Sequence, residues 1–209
     1  MPSFFLISAH PDPGSFNSSI VATVQSSIEE SGHAFTHTDL YRCDFDPVLT
    51  AQELHTQAQA VPKYVQLEQD RVLSTDVIVL IFPIWWWGPP AILKGWMERV
   101  LSVDFAFRFD VSQGRYVGML SGRSAIVITT SGSDPKYYSF AWQRQSHKEF
   151  AKEFLATCDI TTVKQFHFHG ISQYTESDKL ISYLNSIREY LLSAFTSSAS
   201  DGQNNDDRY

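Results

Sequence analysis

Three loops hold the residues whose types and spacing could do chemistry. The first is SAHPDPGSFNSSI at 8–20. It places Ser15, Phe16, Asn17 and Ser18 where a helix would begin, with His10 just upstream. Free backbone N–H groups and the dipole of a helix start favour an anion. Short hydroxyl and amide side chains add donors without bulk, so this loop could hold a phosphate although it carries no Lys or Arg. It is neither a Walker loop nor a Gly-x-Gly-x-x-Gly fingerprint. An ordinary Ser-capped helix is the plain alternative.

The second loop is FPIWWWGPPAILKGW at 82–96. Pro83 and Ile84 lead into three consecutive tryptophans, Trp85, Trp86 and Trp87, followed by Gly88, Pro89 and Pro90. A large apolar side chain left in water forgoes roughly 1.5–3 kcal/mol. These rings must therefore cover the core, a partner subunit or a planar ligand. The third loop runs Thr129-Thr130-Ser131-Gly132-Ser133-Asp134-Pro135-Lys136-Tyr137-Tyr138. Small residues such as Ser131 and Gly132 let a ligand approach the backbone. Tyr137 or Tyr138 could then hydrogen-bond it, and a plain surface loop is the alternative.

Each loop leaves an apolar strand. Ser3–Ala9, His33–Leu40, Asp76–Phe82, Ser124–Thr130 and Thr161–His169 read as five strands. Asp76–Phe82 and Ser124–Thr130 are apolar on both faces, as in a parallel sheet covered by helices on each side. Helical patterns fall at Phe16–Glu30, Ala91–Val103 and Asp178–Phe195, with a polar helical stretch from Ala51 to Ser74 interrupted by Pro62. Strands alternating with helices predict a doubly wound α/β domain over 1–195. Ligands of such sheets sit beyond the carboxyl ends of the strands. Residues 196–209 are Ser-, Asp- and Asn-rich and predict a disordered tail.

Composition removes other function classes. The net charge of −7 and the lack of a Lys/Arg cluster argue against a nucleic-acid partner. Cys43 and Cys158 fit no metal or redox spacing and read as two packing thiols. His167 and His169 alternate on a strand and so face one way, but no third ligand is placed beside them, and a metal is not expected. No apolar run reaches about 18 residues and the N-terminus lacks a basic signal region, so a cytoplasmic protein without a membrane span is expected.

The motifs resemble those of the NAD(P)H:quinone reductase family of flavodoxin-like flavoproteins, the DT-diaphorase type with its bacterial relatives. The family's H-P-x-x-x-S-F-N loop is matched by His10-Pro11 and Ser15-Phe16-Asn17. Its F-P-x-x-W-x-G-x-P-A-I-L-K-G-W run is matched by Phe82-Pro83, Trp86, Gly88 and Pro90–Trp96, and its T-T-G-G-like loop by Thr129–Gly132. The resemblance spans about residues 3–195 and implies FAD, with FMN also open, in a homodimer. It places His10, Ser15, Phe16, Asn17 and Ser18 along the phosphates, and Pro83 to Trp87 beside the isoalloxazine ring. Thr129, Ser131, Gly132 and Tyr137 fall at the ring's other edge. The implied activity is ping-pong hydride transfer from NADH or NADPH to a quinone or similar planar acceptor. A flavin-bound ancillary subunit of a potassium-efflux system is the rival, and a one-electron carrier a weaker one. Tyr137 would be catalytic. Gln143 stands where animal members carry a histidine, and His147 is the candidate stand-in.

Overall fold

The computed structural model describes residues 1–55, 61–134, 136 and 152–195. Its elements are β1 (Phe4–Ser8), α1 (Phe16–Glu30), β2 (Phe35–Asp39), α2 (Ala51–His55), α3 (Lys63–Leu73), β3 (Val77–Pro83) and α4 (Ala91–Val100). They continue with β4 (Phe107–Asp110), β5 (Arg115–Gly118), β6 (Ser124–Thr130), β7 (Thr161–Phe168) and α5 (Ser177–Phe195). Residues 152–157 are also helical.

Five strands form one parallel sheet in the order β2-β1-β3-β6-β7. All seven residues of β3 and all five of β1 are buried. Alternate side chains serve opposite layers, as strand geometry requires. Phe5, Ile7, Ile78 and Leu80 meet Leu93, Trp96 and Met97 of α4. Phe4, Leu6, Val79 and Ile81 meet Ile20, Val24 and Ile28 of α1 and Ile187 and Leu191 of α5. The flavodoxin-like α/β expectation holds, and Pro62 does divide the 51–74 stretch into α2 and α3.

Two elements differ from the sequence reading. Helix α4 ends at Val100, three residues early, because Asp104 takes a φ of 65° and Val103 bridges to Phe107. The chain then forms an antiparallel hairpin, β4–β5, which the reading had not proposed. Its turn is built by the Asp110 carboxylate, which accepts from the backbone N–H of Ser112 (2.9 Å) and of Gln113 (3.2 Å), and by Gly114 at φ 64°. Strands of four residues give too short an alternation to stand out.

The second half of the tryptophan-loop motif serves this fold. Trp96 is 1% exposed, packs on Phe5, and donates from Nε1 to the buried Glu68 carboxylate at 2.9 Å. A Cβ on Gly95 would lie 2.2 Å from the Pro47 carbonyl oxygen, so only glycine lets that segment cross α4. Arg99, buried, holds Glu53 at 2.7 Å and lies over the Tyr64 ring at 5.1 Å. Gly95 and Arg99 thus clamp the 46–53 segment onto α4, and Trp96 ties α4 to α3.

Candidate flavin site

Parallel pairing brings the carboxyl ends of β1, β3 and β6 side by side, with Ser8 opposite Ile81 and Pro83 opposite Thr130. The three loops begin there. At the first, Ser15 caps α1: its Oγ accepts from the Ser18 N–H at 3.3 Å. Asp12 Oδ1 accepts from the Gly14 N–H at 2.8 Å and tightens the turn. The first turn of α1 holds no acidic residue, so nothing on it opposes an anion. His10 Nδ1 lies 3.1 Å from the Asp12 N–H and 3.2 Å from the Asp12 carbonyl, so the Asp12 backbone holds the ring. The Phe16 ring turns inward, edge-on to Phe168 at 6.3 Å, so its backbone is what it offers the loop.

Asn17 is buried, and its Nδ2 donates to Thr130 Oγ1 at 2.9 Å. Its Oδ1 has no partner. An amide flip exchanges the two ends. The Thr130 hydroxyl then donates to Oδ1, and Nδ2 becomes a spare donor at the helix start. That fits a phosphate or ribityl oxygen. A cleft of about 210 Å³ adjoins this loop, lined by Ser8, His10, Asn17, Ser18, Asp39 and Arg42 among others. Arg42 pairs with Asp39 at 2.6 Å and is partly exposed. The sequence reading found no cation for this loop. Arg42 comes from beyond β2, the neighbour of β1, and only strand order reveals it.

The second loop is a tight turn. Trp85 and Gly88 exchange backbone hydrogen bonds of 2.9 and 3.1 Å. Trp86 and Trp87, between them, take φ of 48° and 68°. Positive φ at both central positions is the type I′ turn, which favours Asn and Gly and is uncommon for bulky residues. Trp86 is 94% exposed, Trp85 41% and Trp87 36%. The His10 and Trp85 rings lie 5.8 Å apart and join the first two loops. The Ile84 N–H donates to the Thr130 carbonyl at 2.7 Å and joins the second to the third.

In the third loop Thr129 and Ser131 are buried. A Cβ on Gly132 would meet only the Ile171 carbonyl oxygen, at 3.7 Å, so packing within the protein does not demand glycine there. The open side is available to a ligand. Tyr137, Gln143 and His147 lie outside the described residues, as does the 196–209 tail.

His167 near the end of β7 meets Thr129 and Ser131, and His169, just past the strand, meets Ser131. Among the described residues no three His, Cys, Asp or Glu side chains gather as a metal site. Burial pushes the Cys158 thiol up to about 11 and also raises that of Cys43, so neither is an activated thiolate. No helix among the described residues is long and apolar enough to cross a membrane.

Comparison with known proteins identifies the family. The model of the flavodoxin-like fold family matches residues 3–191. A Haemophilus influenzae protein named an uncharacterized NAD(P)H oxidoreductase is 33% identical over 79% of this chain and 82% of its own. The ribosyldihydronicotinamide dehydrogenase [quinone] of Pongo abelii is 31% identical over 64% of this chain and 65% of its own. The crystal structure of an FMN-dependent NADH-azoreductase from Bacillus anthracis, in complex with FMN, superposes with a TM-score of 0.74 at 19% identity, covering 93% of this chain and 100% of that one. The chain belongs to the flavodoxin-like fold family and, within it, to the NAD(P)H:quinone reductase family.

Proposed function

We propose that the three loops hold a flavin and that the protein passes two electrons from NAD(P)H to a quinone or similar planar acceptor. One observation carries this reading: two tryptophans at positive φ, one of them 94% exposed, in a turn leaving the central strand. A turn both strained and apolar is stable only where something else gains from it, and a stacked planar ring is the occupant that fits. The relatives' names, an NAD(P)H oxidoreductase and a quinone dehydrogenase, support the same chemistry. Nothing observed favours the transporter-subunit reading.

The flavin, when bound, supplies the hydride chemistry. The chain's residues hold it and shape the site. Backbone N–H groups of the α1 start, with Ser15, Ser18 and the Asn17 amide, take the phosphate. Arg42 offsets its charge from across the cleft. Trp85, Trp86 and Trp87 cover the ring system and exclude water, and the Ser131–Gly132 backbone meets the opposite edge. We assign Tyr137 as the hydrogen-bond donor to the acceptor oxygen, with His147 as its proton partner. We assign FAD as the cofactor; the FMN bound by the Bacillus anthracis azoreductase makes FMN its direct competitor.

We further assign a homodimer. Trp86 together with Phe109, Val111 and Tyr116 of the hairpin leaves more apolar surface exposed than a lone subunit needs. The two unpaired thiols fit the reducing cytoplasm. The test is to release the cofactor, identify it by mass, and screen quinones with NADH and NADPH. A protein that is colourless as purified, and stays so after reconstitution with FAD and FMN, ends the proposal.

A further inference from the structure

Beneath the third loop lies a chain of polar groups that the reading above does not use. Thr129 Oγ1 is 2.6 Å from His167 Nδ1, and His167 Nε2 is 3.2 Å from Ser131 Oγ. Ser131 Oγ is in turn 3.3 Å from His169 Nδ1. Two carbonyls complete the set: Thr129 reaches Phe166 O at 3.2 Å and Ser131 reaches Ser133 O at 3.3 Å. A bulge makes this arrangement. β7 holds one extra residue, Val163, so that Thr129 faces His167 and not Phe166.

Proton counting shows what the chain can do. A hydroxyl donates once and accepts twice, and a neutral imidazole does each once. In the neutral setting the Thr129 hydroxyl donates to His167 Nδ1. His167 Nε2–H and His169 Nδ1–H both donate to Ser131 Oγ, whose own proton goes to Ser133 O. Add one proton to His167, and Nδ1–H now donates to Thr129 Oγ1. The Thr129 hydroxyl turns to Phe166 O, a contact that has no donor in the neutral setting, and each of the five contacts then has one donor and one acceptor. Uptake of a proton moves no heavy atom. With the two rings 3.9 Å apart, a charge on one disfavours a charge on the other.

We propose that His167 is a further proton-holding residue of the flavin site, distinct from the Tyr137–His147 pair at the acceptor and wired to the 129–132 loop through Thr129 and Ser131. The inference rests on the flavin reading above. The overall reaction, NAD(P)H plus quinone plus one proton giving NAD(P)+ plus quinol, draws one hydrogen from the nicotinamide and the other from solvent. His167 takes the solvent proton when negative charge arrives over the loop and gives it up when the electrons leave. Among the described residues, these charged groups lie near the 131–134 loop: Asp134 pairs with Lys136 at 3.3 Å, and Lys179 of α5 approaches Gly170 and Asp134.

Two measurements test this. The first is the imidazole titration of the flavin-free protein by NMR in wild type, Thr129→Val and Thr129→Ser. Thr129→Val should lower the proton affinity of His167 about tenfold, since the charged ring loses the stronger hydrogen bond, and Thr129→Ser should restore it. The second is the midpoint potential of the bound flavin against pH across the histidine range, about pH 5 to 8. Wild type should bend there, and His167→Gln should lose the bend. An unchanged titration in Thr129→Val, or an unchanged bend in His167→Gln, overturns the inference and leaves the flavin reading standing. Failure of every variant and of wild type to take up flavin overturns both.

Discussion

Asn17 and Thr130 tie the first loop to the third: the amide of one and the hydroxyl of the other share a hydrogen bond of 2.9 Å, with both side chains buried. The bond spans the top of the sheet from α1 to the end of β6. In the proposed flavin site it therefore fixes the spacing between the phosphate end and the ring end. Asn17→Ala should cost about 1–2 kcal/mol of stability, because it strands the Thr130 hydroxyl. It should also weaken flavin binding about tenfold. Asn17→Asp keeps the shape and can accept from Thr130, but sets a negative charge beside the phosphate. It should bind flavin more weakly still while losing less stability than Asn17→Ala. Thermal denaturation and fluorescence titration separate the two effects, and equal flavin affinity in both variants would contradict the assigned role.

The Trp86–Trp87 turn sets stability against function. Glycine tolerates φ of 48° where tryptophan is strained. Trp86→Gly should therefore raise stability by up to about 1 kcal/mol, or about 2–4 °C in Tm for a chain of this size. The same change removes the most exposed ring of the site, and the acceptor KM should rise about tenfold. A variant that loses stability and keeps its KM would mean that Trp86 serves packing between subunits and not the ligand.

How far the sequence reveals this protein depends on the reach of each interaction. The five-stranded sheet was legible because strands such as 77–83 are apolar on both faces, and periodicity is a local signal. The β4–β5 hairpin was not, since Phe107–Asp110 and Arg115–Gly118 are too short to show alternation. The three loops were found from composition alone. Their connections were not: Asn17 to Thr130, His10 to Trp85 and Thr129 to His167 join residues far apart in the chain. The last depends on a bulge at Val163 that no pattern announces. Trp96, which ends the tryptophan-loop motif, and Arg99 one turn on hold the fold together.

Stability should also follow the titration of His37. Burial pushes its imidazole below the ordinary histidine value, and the nearby Asp39 only partly offsets this. Its ring nitrogens meet Ser8 Oγ at 2.9 Å and the Gln25 amide at 3.2 Å. Since the unfolded chain binds this proton at a higher pH than the folded one, the contribution is complete above about pH 6.5 and is lost as pH falls through the folded value. Urea denaturation at about pH 7.5 and about pH 5 should show that loss in wild type, and His37→Gln should show less of it. An identical drop in the variant would assign the acid sensitivity to other groups.

Arg42 offers the sharpest separation between a phosphate site and a general flavin site. It lines the cleft beside the α1 start, and its partner Asp39 leaves it partly exposed. Its effect on a ligand should be electrostatic and should need the phosphate to be present. Arg42→Gln is therefore expected to weaken FAD and FMN about three- to tenfold at low salt, the range of a partly exposed charge interaction. The difference should shrink as salt is added. Riboflavin, which has the same ring and ribityl chain but no phosphate, should bind wild type and variant alike. Titration of the flavin-free protein with the three ligands measures this directly. Equal loss for riboflavin would show that Arg42 shapes the cleft sterically, while no loss for any of them would move the phosphate away from the β2 side of the helix start.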